Sequence, residues 1–99
     1  MAEREQPRDE LTTRLGQGRN EVDRQSAIII QAFADRFRAT DEIGQIKRAL
    51  GLPLHQPKRF KEMLEEIVSY GTGLGLDPAF LETLFSETHK ESLRRQEGL

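Results

Sequence analysis

Ninety-nine residues bound the chain to one domain at most, with a modest core. Hydrophobic residues make up 35% and charged residues 32%, a balance tilted toward long, solvated helices; a formal net charge of −2 argues against a general nucleic-acid or anionic-membrane binder. There is no cysteine, which excludes a disulfide framework and a thiolate metal site.

Residues 1–10 are charged and polar, include Pro7, and are expected to be a disordered N-terminal segment; a single helical domain is expected over 11–99. Met1–Pro7 has no signal-peptide character and no apolar run approaches the roughly 20 residues of a membrane span, so a cytoplasmic protein is expected. A helical pattern starts at Leu11, but Gly16 and Gly18 each cost about 1 kcal/mol against alanine, so the helix is secure only from about Arg19. From there to Leu50, Val22, Ile29, Arg36, Ile43 and Leu50 form one row at a seven-residue step. Arg19, Ser26, Phe33, Thr40 and Lys47 form the row beside it. Both rows read as buried along a helix packed lengthwise against others. Residues Ala27 to Ala34 are apolar almost all round, which predicts burial on a second side, most simply by a partner subunit.

Gly51 and Pro53 predict the stop of this helix. Pro57 fits the first turn of a second helix, whose inward stripe is Phe60, Met63, Leu64, Ile67, Val68 and Gly71. The glycines from Gly71 to Gly75 read as a helix break and not as a phosphate cradle, because no strand precedes them. Asp77-Pro78 predicts an N-cap with proline at the first position of a third helix, which turns Leu81, Leu84, Phe85, Thr88, Ser92 and Gln96 inward. No alternating pattern persists, so the expected fold class is all-α, three helices per chain, one long and two shorter.

Three cations, Arg19, Arg36 and Lys47, stand in rows that otherwise read as buried, and an unpaired buried charge is costly. Arg36 and Lys47, eleven residues apart, differ by about 20° around and about 16 Å along a helix, so both can reach one cavity. Arg19 is about 42 Å from Lys47 by the same rise and joins such a site only from an antiparallel second subunit. Arg59 adds a cation, and Ser92 with Gln96 adds neutral hydrogen-bonding groups. The set describes a pocket for a small dianion, a dicarboxylate, since arginine's planar fork suits carboxylates. No nucleophile set, phosphate loop or metal-ligand spacing accompanies it. The plainer alternatives are ion pairs of Arg36 and Lys47 with Glu62 or Glu82, and Phe60 as a core residue. Arg94-Arg95 reads as a solvated helix end, and His55 and His89 as two single histidines with no metal or catalytic role.

The sequence resembles the all-helical class of chorismate mutases. The resemblance covers about Arg19 to Gln96. It is carried by Arg19; Arg36 in Ala34-Asp35-Arg36-Phe37; Ile43-Gly44-Gln45-Ile46-Lys47; Gly51-Leu52-Pro53-Leu54; Arg59; Gly75-Leu76-Asp77-Pro78; and Ser92 with Gln96. It implies an intertwined homodimer, free of cofactor and metal, that converts chorismate to prephenate in aromatic amino-acid biosynthesis. By the resemblance, Lys47, Gln96 and Arg36 are catalytic: Lys47 and Gln96 meet the ether oxygen of the breaking bond, and Arg36 grips carboxylate together with Arg19 from the partner subunit. Arg59 and Ser92 position the substrate. Gln56 and Phe60 occupy the two positions that face the ring hydroxyl, where the family usually carries aspartate and glutamate. Gln56 still accepts a hydrogen bond and Phe60 does not. That leaves three other readings open: an isochorismate-pyruvate lyase, a 4-amino-4-deoxychorismate mutase, and a catalytically silent helical dimer acting as an interaction module.

Overall fold

The computed structural model describes residues 2–98, with side chains over 7–98. Three helices follow one another: α1 (Ala2–Leu50), α2 (Pro57–Gly73) and α3 (Pro78–Gly98). No strand occurs among the described residues. The all-α, three-helix expectation therefore holds, and the turns between helices show why. Gly51, at φ 69°, ends α1. Its N–H donates to the Arg48 carbonyl at 3.2 Å and the Leu52 N–H donates to the Lys47 carbonyl at 2.8 Å. This paired closure needs a left-handed residue, which glycine adopts without strain. Gly75, at φ 88°, repeats the motif after α2, with Gly75 donating to Thr72 and Leu76 to Gly71, both at 3.0 Å. Pro57 opens α2. Asp77 caps α3 by accepting the Phe80 N–H on Oδ2 at 2.9 Å.

One expectation is corrected. α1 begins at Ala2 and not near Arg19, with Pro7 inside the helix. Two glycines at about 1 kcal/mol each weaken a 49-residue helix without ending it, and Pro7 removes one hydrogen bond close to its start. The break expected in the Gly71–Gly75 segment ends α2 at Gly73, and the turn closes at Gly75. Gly71 is buried inside the helix, where an added Cβ would collide with Leu81 Cδ1.

The chain divides into two compact units, Met1–Arg36 and Phe37–Leu99. The first is helix α1 alone. Its polar groups pair locally, as in Glu21 with Arg24 and Gln25. Leu11, Leu15, Val22, Ile28, Ile29 and Ile30 are each more than half exposed. The second unit holds the end of α1 with α2 and α3. Here the α2 stripe Phe60, Met63, Leu64, Ile67 and Val68 is half-buried, and on α3 Leu81, Thr88, Ser92 and Gln96 are buried, as their spacing predicts. On α1 the covered face of this unit is Phe37, Thr40, Asp41, Gly44 and Lys47. On the single chain the neighbouring row is exposed, at Ile43 and Leu50 and at Val22 and Ile29 further back. α3 packs on the end of α1 through Gly44 and Gln96, and Leu81 is the sole buried hydrophobic residue among those described.

Candidate active site

Lys47 is the best-defined charge of the second unit. The glycine turn after α1 folds the chain back until Lys47 Nζ donates to the Leu54 carbonyl at 2.6 Å. Among the described residues no carboxylate pairs with it, so the ion pair with Glu62 or Glu82 is not formed. Burial alone pushes its ammonium down from the ordinary lysine value. A partly desolvated cation balanced by one neutral carbonyl is incompletely compensated.

Gln96 reaches α1 from α3. Its side chain is buried, Nε2 donates to the Thr40 carbonyl at 2.6 Å, and Oε1 is buried without a hydrogen-bond partner. Gly44 makes room for it: a Cβ there would stand 2.5 Å from Gln96 Cγ. Lys47 is one turn beyond Gly44 on the same face of α1, about 4.5 Å along the axis. Three further contacts clamp this end of α3. Arg95 forks onto Asp41 at 3.0 and 2.6 Å and lies over the Phe37 ring at 5.3 Å. Arg48 Nη2 donates to the carbonyls of Gln96 at 2.7 Å and Glu97 at 3.0 Å, satisfying acceptors the helix end leaves open. Arg95 is thus not the solvated end its position in sequence implies; Arg94, which pairs with Glu91, is.

Ser92 is buried one turn before Gln96, its hydroxyl donating to the Thr88 carbonyl at 3.1 Å. Gln56 is half-buried at the N-cap of α2, where its main-chain carbonyl accepts the Phe60 N–H at 3.1 Å. Phe60 stacks on His89, with ring centroids 4.2 Å apart and planes at 16°. His89 Nε2 and His55 Nδ1 approach to 3.2 Å, a contact between residues that stand alone in sequence. Arg59 is exposed in the first turn of α2. In the first unit, Arg36 is half-buried and burial lowers its guanidinium from the ordinary value, while Arg19 is exposed.

The structure therefore seats Gln96 against Gly44, one turn of α1 from Lys47, and carries Ser92 on the same line of α3. Two surface grooves lie elsewhere. One of about 580 Å3 is lined by Glu62, Glu65, Glu66, Ser69 and Tyr70, and one of about 290 Å3 by Leu64, Glu65, Val68, Ser69 and Glu82. Both are lined by carboxylates, the wrong sign for a dianion. Sequence reasoning missed the supporting residues Asp41, Arg48, Arg95 and the histidine pair. Only His89 carried a signal, its spacing of three and seven residues from Ser92 and Gln96.

Residues 18–97 match the family model described as chorismate mutase type II. The chain belongs to that family. Chorismate mutase (form II) from Thermus thermophilus has a similar structure, with a TM-score of 0.79 and 36% identity over 85% of this chain and 94% of that one. Among curated relatives, the 4-amino-4-deoxychorismate mutase of Streptomyces pristinaespiralis is 31% identical over 91 residues, and the T-protein of Enterobacter agglomerans 27% over 74. These alignments cover 92% and 75% of this chain but span 65% and 20% of the relatives' own lengths. The three-helix class expected for a chorismate mutase is the one this family member adopts. Among the described residues no helix is long and apolar enough to cross a membrane.

Proposed function

We propose that the chain is an isomerase of the chorismate mutase type, rearranging chorismate to prephenate. The observation that carries this reading is Lys47: an ammonium partly stripped of water, without a carboxylate partner among the described residues, one helical turn from the glycine that seats the buried side chain of Gln96. The reaction is unimolecular. An ether carbon–oxygen bond breaks as a carbon–carbon bond forms, and the protein supplies neither proton nor electrons. What it supplies is a compact conformer and charge opposite the ether oxygen as negative charge grows there. Lys47 places its ammonium at that oxygen. Gln96 adds its second amide N–H, the first being held by Thr40. Arg36 grips a carboxylate, Arg59 and Ser92 orient the ring, and Arg19 arrives from a second copy of the chain in a homodimer. A dicarboxylate in this site restores the compensation that Lys47 lacks.

A second reading, the amino analogue of chorismate as substrate, is favoured by Phe60. It presents a stacked apolar ring where a carboxylate would accept a hydroxyl proton, and the 31%-identical relative is named for that substrate. Product analysis with chorismate, isochorismate and 4-amino-4-deoxychorismate tests both readings. Prephenate from chorismate is the expected result; the amino analogue of prephenate, or salicylate with pyruvate, transfers the site to the other substrate. No acceleration of any of the three leaves an interaction module. Phe60→Glu is expected to raise turnover of chorismate relative to the amino substrate; a fall at unchanged stability would remove the hydroxyl argument.

A further inference from the structure

Gln96 sits in the last turn of α3, which ends at Gly98. A helix end is a poor place to hold a side chain still: its last carbonyls have no partner within the helix, and terminal turns open at little cost in free energy. Glutamine also carries several freely rotating bonds. Yet this side chain is buried, and chemistry fixes which way its amide faces. Nε2 donates to the Thr40 carbonyl at 2.6 Å, and turning the amide over would set two oxygens against each other. Oε1 is buried with no hydrogen-bond partner, a state that a loose side chain would leave for water. Something beyond the amide itself keeps it there.

The residues on either side of Gln96 supply that hold. Arg95 forks onto Asp41, the residue after Thr40, with Nε at 3.0 Å and Nη2 at 2.6 Å. A two-point contact fixes a guanidinium in rotation as well as in distance. The same guanidinium lies over the Phe37 ring, one turn earlier on α1. About 10.5 Å along α1 from Asp41, Arg48 Nη2 donates to the carbonyls of Gln96 and Glu97. Between these two grips, Gly44 leaves the space that Gln96 Cγ occupies. The last turn of α3 is thus tied to α1 on both sides of the glutamine's seat.

We propose that the Arg95–Asp41 fork, backed by Arg48, is a positioning device that holds the Gln96 amide in its productive orientation. The proposal rests on the chorismate-type reading of the site, in which the second N–H of Nε2 meets the ether oxygen. Arg95, Asp41 and Arg48 act on the substrate only through Gln96. A reacting group or donor displaced by about 1 Å costs as much as 10²-fold in rate, so a frayed last turn would forfeit most of what this amide contributes.

The test compares Arg95→Gln in the native chain and in a Gln96→Ala chain, each assayed well below its melting temperature. In the native chain Arg95→Gln is expected to lower kcat about tenfold with KM changed by less than about twofold, because the misplaced donor acts on the transition state. In the Gln96→Ala chain the same substitution should change kcat by less than about twofold, since no amide is left to misplace. Equal losses in both chains would mean a merely structural tie and overturn the proposal, as would no loss in the native chain. Hydrogen exchange of the Gln96 side-chain amide, followed by NMR and assigned by its absence from Gln96→Ala, gives a readout independent of turnover, and it decides where Gln96→Ala leaves no measurable rate. Arg95→Gln should speed that exchange about tenfold while the main-chain amides of Leu84 to Thr88 keep their native rates. If native protein turns over no chorismate-type substrate yet the substitution frees the amide, the activity reading fails and the positioning role stands. Exchange that is unchanged, or already free in native protein, overturns the proposal whatever the activity. Should Arg95→Gln not fold, Asp41→Asn, which keeps the shape of Asp41 and removes its charge, takes its place with the same expected outcomes.

Discussion

Lys47 and Gln96 were both legible from spacing, because a polar residue on an otherwise inward line of a helix has few bland explanations. The surroundings that define their chemistry were not. Lys47→Ala is expected to lower kcat/KM about 10²–10³-fold with the melting temperature nearly kept, since the ammonium gives the fold one hydrogen bond to a loop carbonyl. The pH dependence follows from burial. It holds Lys47 below its unfolded value, so between the two values the unfolded chain binds more protons and the group's contribution to stability rises with pH. A bound dicarboxylate favours the ammonium, so dicarboxylate affinity measured by calorimetry should fall as pH rises through the folded Lys47 value. A flat profile there would detach Lys47 from the anion. Gly44→Ala tests the neighbouring amide: the new Cβ displaces Gln96, costing about 1–3 kcal/mol of overpacking and much of the activity. Full activity in a folded Gly44→Ala protein would show that Gln96 is not needed where it lies. His89 shows the limit of spacing. Its partner His55 is 34 residues away, and no helical period connects them.

The second and third helices were readable almost residue by residue, because their caps are local chemistry. A left-handed glycine, a proline at the first position and an aspartate accepting the third N–H depend on a few consecutive residues. The start of α1 was not, because two glycines are weak breakers and no strong terminator stands before Arg19. The contact of α3 with α1 was also hidden, since Arg95 reads as a surface residue until Asp41 is brought to it. That hydrogen bond holds the Asp41 carboxyl below the ordinary carboxylate value. Its stabilisation is therefore present above the unfolded value and is lost as pH falls through the lowered folded one. Asp41→Asn should melt below native protein at neutral pH, and the difference should close in acid. A difference that persists at low pH would point to packing of Arg95 on Phe37 as the main tie.

At the scale of the molecule, one buried hydrophobic residue among those described is little core for 99 residues, while six large apolar side chains of the first unit are more than half exposed. The proposed homodimer would cover them. Sedimentation is expected to give twice the monomer mass, and Ile29→Asp with Ile30→Asp should yield a monomer or an unfolded chain without activity. A native chain that sediments as an active monomer would rule out Arg19 from a partner. By itself the sequence determined the helix count, both turns, the inward lines of α2 and α3 and the family, because helical periodicity and capping are properties of neighbouring residues. Only the tertiary structure decided which row of α1 is covered, that Gly44 seats Gln96, that Lys47 meets the Leu54 carbonyl, and that two distant histidines join behind Phe60. Those contacts depend on how helices approach one another, and chain-neighbour chemistry does not encode that approach.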